Sequence, residues 1–350
     1  MGRLKKQFQY IIASYKTKRF AGIMNYALRV LDAFFLPAVT MAKPIKLQTE
    51  TIEGICNIDC GMCRANESPK KDEMKFEQFK IILDKLPYCL ELKLTGCGET
   101  MLVKDLLKMI AYAKNKGIHV SFYTNGILLD REKSDAFIGV GLDEITFSLN
   151  AATAQTYLSI MSAAAFEKVT GNIRSLMELK RLRWARRPLV RLSFVAMKKN
   201  IHELPLFIEL AADLGVHAVI VQALSLTRSA RGMEHETLFH DPLLRDGHIR
   251  QAKKIAHRKG ILLSYPSFRN KQMNYLNMCQ EPWTKMQISI QGDVTPCCRV
   301  NTGFGNIFND DIDAIWNGHT YRAFRKMVKN NRLPCEYCYA LAKQLGLEKN

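Results

Sequence analysis

Residues 45–63 read Ile-Lys-Leu-Gln-Thr-Glu-Thr-Ile-Glu-Gly-Ile-Cys-Asn-Ile-Asp-Cys-Gly-Met-Cys. The opening stretch, 45–49, alternates apolar and polar residues as a half-buried strand does. The end is a loop with Cys56, Cys60 and Cys63 spaced C-x3-C-x2-C. Working outward, further strands are predicted at 90–95, 119–124, 144–149, 189–197 and 218–222. Helical periodicity falls between them, at 76–86, 103–116, 131–138, 166–182 and 202–214. Strands that alternate with helices imply a parallel sheet with right-handed crossovers. Six such units are too few to close an eight-stranded barrel. The expected fold class is therefore α/β, a partial, open (β/α)6 TIM-like barrel. A hairpin at 286–290 and 293–295 and helices at 312–317 and 321–329 follow, in a small C-terminal module. The domain division expected is a leader at 1–43, a core at 44–265 and the module at 266–350.

The chain has 350 residues, 47% hydrophobic and 24% charged, which excludes wholesale disorder. Lys and Arg number 51 against 33 Asp and Glu, a formal +18 that points to an anionic partner without naming it. No run of 18 apolar residues occurs, because Arg29, Asp32 and Pro37 interrupt the best candidate. The N-terminus lacks a secretory h-region, so a cytoplasmic location is expected. Ten cysteines are many for such a chain. In a reducing compartment, clustered cysteines serve metals or redox chemistry rather than disulfides.

Three thiolates in one loop can bind three irons of a 4Fe–4S cluster and leave the fourth iron open. Zinc normally takes four ligands, and no fourth Cys or His lies nearby in sequence. The segment from Cys56 to Cys63 resembles the cluster motif of the radical S-adenosylmethionine superfamily. In that family the open iron chelates S-adenosylmethionine, and reductive cleavage gives a 5′-deoxyadenosyl radical. Met62 stands where an aromatic residue is frequent. Thr95-Gly96-Cys97-Gly98-Glu99 is similar to the family's Gly-Gly-Glu type motif. Its glycines would admit the methionyl amine and Glu99 would accept a hydrogen bond from it. Thr124 and Asn125, before Gly126, stand where the family places ribose contacts. Ser148 resembles a serine near the methionine carboxylate, while Asn150 replaces the usual Asp. Each match alone is an ordinary turn signal. Four of them, each at the C-terminal end of a successive strand, form a pattern.

A second group comprises Cys279, Cys297, Cys298, Cys335 and Cys338. With Pro282-Trp283, Gly292-Asp293-Val294, Gly305-Asn306-Ile307 and Ile315-Trp316, it resembles the twitch form of the SPASM-type extension. That likeness implies one auxiliary 4Fe–4S cluster on Cys279, Cys297, Cys335 and Cys338. Neighbours on an extended chain point opposite ways, so Cys297 and Cys298 compete for one position. Structural zinc is the alternative for this group. Cys89 and Cys97 are expected to be buried structural thiols.

Residues 1–43 read as a basic amphipathic helical leader. Phe20, Ile23, Met24, Ala27, Leu28, Leu31, Phe34 and Phe35 repeat at helical spacing, and no acid precedes Asp32. Such a helix either packs across the following domain or lies on a membrane surface as a peripheral anchor. Lys180, Arg181, Arg183, Arg186, Arg187 and Arg191 surround Trp184 and read as a solvated helix end or a phosphate or nucleic-acid contact. His202, His217, His235, His240 and His248 have no metal spacing.

The resemblance implies an enzyme using S-adenosylmethionine and 4Fe–4S clusters, with a flavodoxin or ferredoxin as electron donor. The implied outcome is hydrogen abstraction from an anionic or lipid-linked substrate and a two-electron oxidation through the auxiliary cluster. Radical rearrangement, epimerisation or carbon–carbon bond formation on a peptide or lipid is the alternative. A non-catalytic iron–sulfur carrier and an RNA-binding protein with a zinc appendage are the rivals from other classes. The substrate and the general base are not legible.

Overall fold

The computed structural model describes residues 2–63, 65–224, 232–238, 241–265, 279–297, 300 and 303–330, side chains at 2–9, 11, 13–19 and 234 aside. A long helix, α1 (Gly2–Phe35), precedes β1 (Lys46–Ile55), the short β2 (Asp72–Glu73), α2 (Phe76–Asp84), β3 (Glu91–Gly98), α3 (Leu106–Asn115) and β4 (His119–Thr124). Next come α4 (Arg131–Gly139), β5 (Glu144–Ser148), α5 (Ala154–Met161), α6 (Phe166–Leu182), β6 (Leu189–Ala196), α7 (Leu204–Asp213) and β7 (Ala218–Ala223). The chain continues through α8 (Pro242–Lys259), β8 (Leu262–Ser264), β9 (Lys285–Ile288), β10 (Val294–Thr295), α9 (Ile312–Trp316) and α10 (His319–Lys329).

Among the described residues one sheet contains all the strands, in the order β10-β9-β1-β3-β4-β5-β6-β7-β8, with β2 paired to β1. From β9 to β8 every neighbouring pair is parallel. The six expected strands are present, and the partial barrel is open. Alternation divides the strands' two faces. Leu92, Leu94, Val120, Phe122, Ile145, Phe147, Val190, Leu192 and Phe194 are buried and belong to the main hydrophobic core. The intervening residues, among them Lys93, Tyr123, Glu144 and Arg191, line the other, concave face. Helix starts carry local signals. Asp130, Thr153 and Asp311 cap α4, α5 and α9 through their side chains.

Several features differ from the sequence reading, among them α5, which it did not place. The first strand runs to Ile55 rather than 49, so the cysteine loop begins directly at the strand's end. Helix α8 and β8 form a further βα-type crossover that was not predicted. The buried stripe of α8 is narrow (Ile249, Ala252, Ile255, Ala256) within a Lys- and His-rich stretch, and β8 has only three residues. The C-terminal hairpin is not detached: Lys46 to Thr49 of β1 register with Lys285 to Ile288 of β9, extending the sheet.

Residues 37–42 are clasped between α1 and the C-terminal elements. Trp283 Nε1 donates to Pro37 O at 2.7 Å and Trp316 Nε1 to Ala42 O at 2.8 Å. Arg325, fully buried, donates to Pro282 O at 2.9 Å and to Ala38 O at 3.2 Å, and lies over the rings of Trp316 and Tyr321. Burial lowers its pKa to about 10, so it remains a cation at neutral pH. No helix among the described residues is long and apolar enough to cross a membrane.

Candidate active site at the C-terminal edge of the sheet

The cysteine loop leaves β1 at the C-terminal edge of the sheet, where parallel α/β folds gather their chemistry. Gly61 N donates to Ile160 O at 3.0 Å, pinning the loop to the end of α5, and the Cys60 sulfur lies 3.8 Å from that of Met161. Cys56, Cys60 and Cys63 are in no disulfide, and all three are partly buried. Burial, with charge repulsion from the nearby Cys63 and Cys56 added, pushes the Cys60 thiol up to about 12. Burial raises Cys56 too, again with Cys63 adding repulsion. Thiols that raise one another in this way are deprotonated together most readily around a cationic group. This donor set fits an iron–sulfur cluster. As placed, no three His, Cys, Asp or Glu side chains among the described residues converge on a single metal ion.

Glu99 is 3% exposed, and both its oxygens are engaged. Oε1 accepts from Met101 N at 3.0 Å and from Thr124 Oγ1 at 2.7 Å, while Oε2 accepts from Asn125 N at 2.8 Å. Burial raises its pKa and these three donors oppose the rise. Asn125 then reaches the cysteine loop, donating from Nδ2 to Asn57 Oδ1 at 2.8 Å. Glu99, Thr124, Asn125 and Asn57 thus form one chain of hydrogen bonds from the end of β3 to the cysteines. The sequence reading did not single out Asn57; Thr124 and Asn125, expected as ribose contacts, are engaged with Glu99 and Asn57.

The glycines have a structural cause of their own. A Cβ at Gly96 would sit 2.0 Å from Ile52 O and one at Gly98 2.4 Å from Ile55 O. Where β1 bulges against β3, its carbonyls fill the space that side chains would need. Ser148 ends β5, half-buried, in register with Ser193. Asn150 adopts a left-handed conformation at φ 61°. Its Oδ1 accepts from Val195 N at 2.8 Å and its Nδ2 lies 3.3 Å from the Met161 sulfur. An Asp could accept but not donate there, which accounts for this residue type.

Residues 52–190 match the radical SAM superfamily, and residues 279–339 match the SPASM family, an iron–sulfur cluster-binding domain. Both matches begin where the cysteine-bearing segments do. The chain belongs to the radical SAM superfamily and carries a SPASM domain. Its cofactors are accordingly 4Fe–4S clusters and S-adenosylmethionine. The chain is 27% identical over 309 residues to the tungsten-containing aldehyde ferredoxin oxidoreductase cofactor-modifying protein of Pyrococcus furiosus, covering 81% of this chain and 84% of that one. A probable GTP 3′,8-cyclase of Saccharolobus islandicus is 29% identical over 181 residues, about half of each chain (51% and 56%). Among solved structures, Streptococcus suis SuiB bound to S-adenosylmethionine superposes with a TM-score of 0.65 at 15% identity, covering 91% of this chain and 76% of that one. For native anSMEcpe with bound AdoMet the TM-score is 0.63 at 14% identity, with 86% and 96% covered. These two likenesses are of fold.

Of the radical SAM protein's second cysteine group, Cys279 and Cys297 are described, and both are partly buried. Cys298, Cys335 and Cys338 lie outside the described residues. Cys279 precedes β9 and Cys297 follows β10, which antiparallel pairing returns towards the start of β9. Both therefore lie towards the N-terminal edge of the sheet, the edge opposite Cys56. Cys89 is buried as expected, but Cys97 is exposed. It alternates with Leu94 across the strand and so emerges between the two close-packed glycines rather than under the helices.

Much of the basic run is consumed internally. Arg183 pairs with Asp135, Arg187 with Asp143, and Arg191 with Glu144 at 2.7 Å, while Lys180 is buried. His119 faces Glu144 at 3.3 Å, and His217 Nδ1 bonds to the backbone of Val190.

Proposed function

We propose that this radical SAM protein is an oxidoreductase acting on a hydrophilic substrate held against the concave face of its sheet. The observation that carries this reading is the polarity of that face between two cysteine groups at opposite sheet edges. Lys93 Nζ lies 4.2 Å from the Tyr123 ring centroid, and Gln222 Nε2 approaches the Tyr123 hydroxyl at 3.4 Å. Gln287 donates to Glu50 at 3.0 Å, and Arg191 pairs with Glu144. A lining of this kind would satisfy substrate hydroxyl, carboxylate or phosphate groups and would leave an apolar ligand unpaid for its burial.

Cys56, Cys60 and Cys63 would hold one cluster, and Cys279, Cys297, Cys335 and Cys338 the auxiliary one. Gly96, Gly98, Glu99, Thr124, Asn125 and Ser148 would border S-adenosylmethionine. When bound, these groups would supply a 5′-deoxyadenosyl radical for hydrogen abstraction and an auxiliary acceptor for the second electron of a two-electron oxidation. The chain's part is to position. Glu99 and Asn125 fix the cysteine loop against β3 and β4, and the strands of the concave face orient the substrate between the two edges. A flavodoxin or ferredoxin would deliver the initiating electron. We assign the domains as 1–43, 44–265 and 266–350, the last joined to the core through β9. SuiB has been solved with a precursor peptide and anSMEcpe with a Cys peptide. Their likeness here is of fold, so the substrate class is read from this chain's own polar face.

The test is a Cys279→Ser, Cys297→Ser variant, reconstituted anaerobically beside the unaltered chain. Iron should fall from about eight to about four per chain, as two four-iron clusters become one. 5′-Deoxyadenosine formation from S-adenosylmethionine and dithionite should persist. Unchanged iron, or stoichiometric zinc at this site, would remove the oxidation.

A further inference from the structure

Helix α1 has two faces of different fate. Asn25, Tyr26 and Asp32 are buried against the body. Tyr26 packs with Ile45 and Leu90, Asn25 Oδ1 accepts from Lys43 N at 2.7 Å, and Asp32 accepts from Ala42 N at 3.0 Å. The opposite face carries Phe20, Met24, Leu31, Phe34 and Phe35, all exposed, with Phe34 at 82% and Phe20 at 71%. At 3.6 residues per turn, these five fall within an arc of about 100°. Val39 and Met41, just beyond the helix, are exposed as well. So contiguous an apolar stripe needs a partner.

Charge and placement indicate which. Residues 1–31 contain seven Lys and Arg and no Asp or Glu, within a chain of net charge +18. The residues that α1 packs on, Ile45 and Leu90, stand just before β1 and β3, at the N-terminal edge of the sheet. The same edge carries the α6–β6 connection, where Leu182 is 55% and Trp184 93% exposed beside Arg181 and Arg186. Two separate segments thus present apolar residues among cations at one end of the molecule.

We infer that this end docks on an anionic lipid surface, with the α1 stripe sunk into the interface and the flanking cations on lipid phosphates. The cysteine loop lies at the opposite edge of the sheet. Docked in this way, the protein opens its site towards water, and the membrane localises the enzyme rather than feeding it. The inference rests on α1 and the α6–β6 connection and does not depend on the proposed oxidation.

The test is co-sedimentation of the full-length, cluster-loaded protein with vesicles of phosphatidylcholine, or of phosphatidylcholine mixed with phosphatidylglycerol. Binding should need phosphatidylglycerol and weaken at high salt. A Leu31→Asp, Phe34→Asp variant should bind at least about tenfold more weakly, with an unchanged far-ultraviolet spectrum and thermal midpoint, because both side chains face outward. Absence of binding, equal binding to both vesicle types, or equal binding by the variant would overturn the inference. So would a dimer in sedimentation velocity that the same substitutions dissociate, since a second copy would then cover the stripe.

Discussion

Asn125 Nδ2 donates to Asn57 Oδ1 at 2.8 Å and lies 4.0 Å from the Cys56 sulfur, so the end of β4 holds the first turn of the cysteine loop. Asn125→Ala removes this tie without touching a thiol. The variant should still load iron on reconstitution but release it to a chelator severalfold faster than the unaltered protein. An unchanged release rate would show that the loop is held without β4.

Glu99 satisfies three donors with two oxygens, and a Gln in its place would set an amide N–H against one of them. Glu99→Gln should lower unfolding stability by about 1–3 kcal/mol in denaturant titration, the usual cost of a buried unpaired group. Any loss of S-adenosylmethionine affinity should accompany that loss. A raised Kd with an unchanged unfolding midpoint would instead make Glu99 a direct contact to the methionyl amine.

Gly98→Ala places a methyl 2.4 Å from Ile55 O, next to Cys56. Backbone cannot yield there as a flexible side chain would, so β1 and β3 must part. Overpacking of this kind costs about 1–3 kcal/mol. Iron content in the first cluster should fall with it, while Gly171→Ala, where nothing lies within 4 Å, should leave iron unchanged. Equal iron in the two variants would contradict the close-packing account.

Burial holds the Lys180 ammonium down to about 8, from an ordinary 10.5. Between those values the unfolded chain binds more protons than the folded one, so this group makes stability rise with pH. Below about pH 8 both states are charged and the full penalty of burying the cation is present. Lys180→Met should therefore raise the thermal midpoint most near pH 7, with the gain shrinking towards pH 10. A gain that does not vary with pH would contradict the assignment.

What was legible in the sequence follows physical lines. The six parallel strands announce themselves because their helix-facing residues, such as Leu92, Val120 and Phe147, must be apolar at every second position. The cysteine spacing shows because ligand chemistry tolerates few residue types. The pairing of β9 with β1 was not legible, since it joins residues more than two hundred positions apart and depends on no local signal. Nor was the cause of Gly96 and Gly98, whose missing side chains are displaced by carbonyls of another strand. The α1 helix was legible as amphipathic, but which apolar residues stay exposed was decided by packing: Tyr26 turns in while Phe34 turns out. Trp184 likewise reads as part of a basic run, yet its arginine neighbours are largely engaged with acids on adjacent elements.

The central claim is that Cys56, Cys60 and Cys63 hold the cluster that cleaves S-adenosylmethionine. The measurement that tests it most directly compares the unaltered protein with a Cys56→Ala, Cys60→Ala, Cys63→Ala variant, both reconstituted anaerobically and given dithionite and S-adenosylmethionine. The account predicts that the variant loses about four irons per chain, one cluster's worth, and forms no 5′-deoxyadenosine, while the unaltered protein forms it. Equal iron in both proteins, or 5′-deoxyadenosine from the variant, would contradict it.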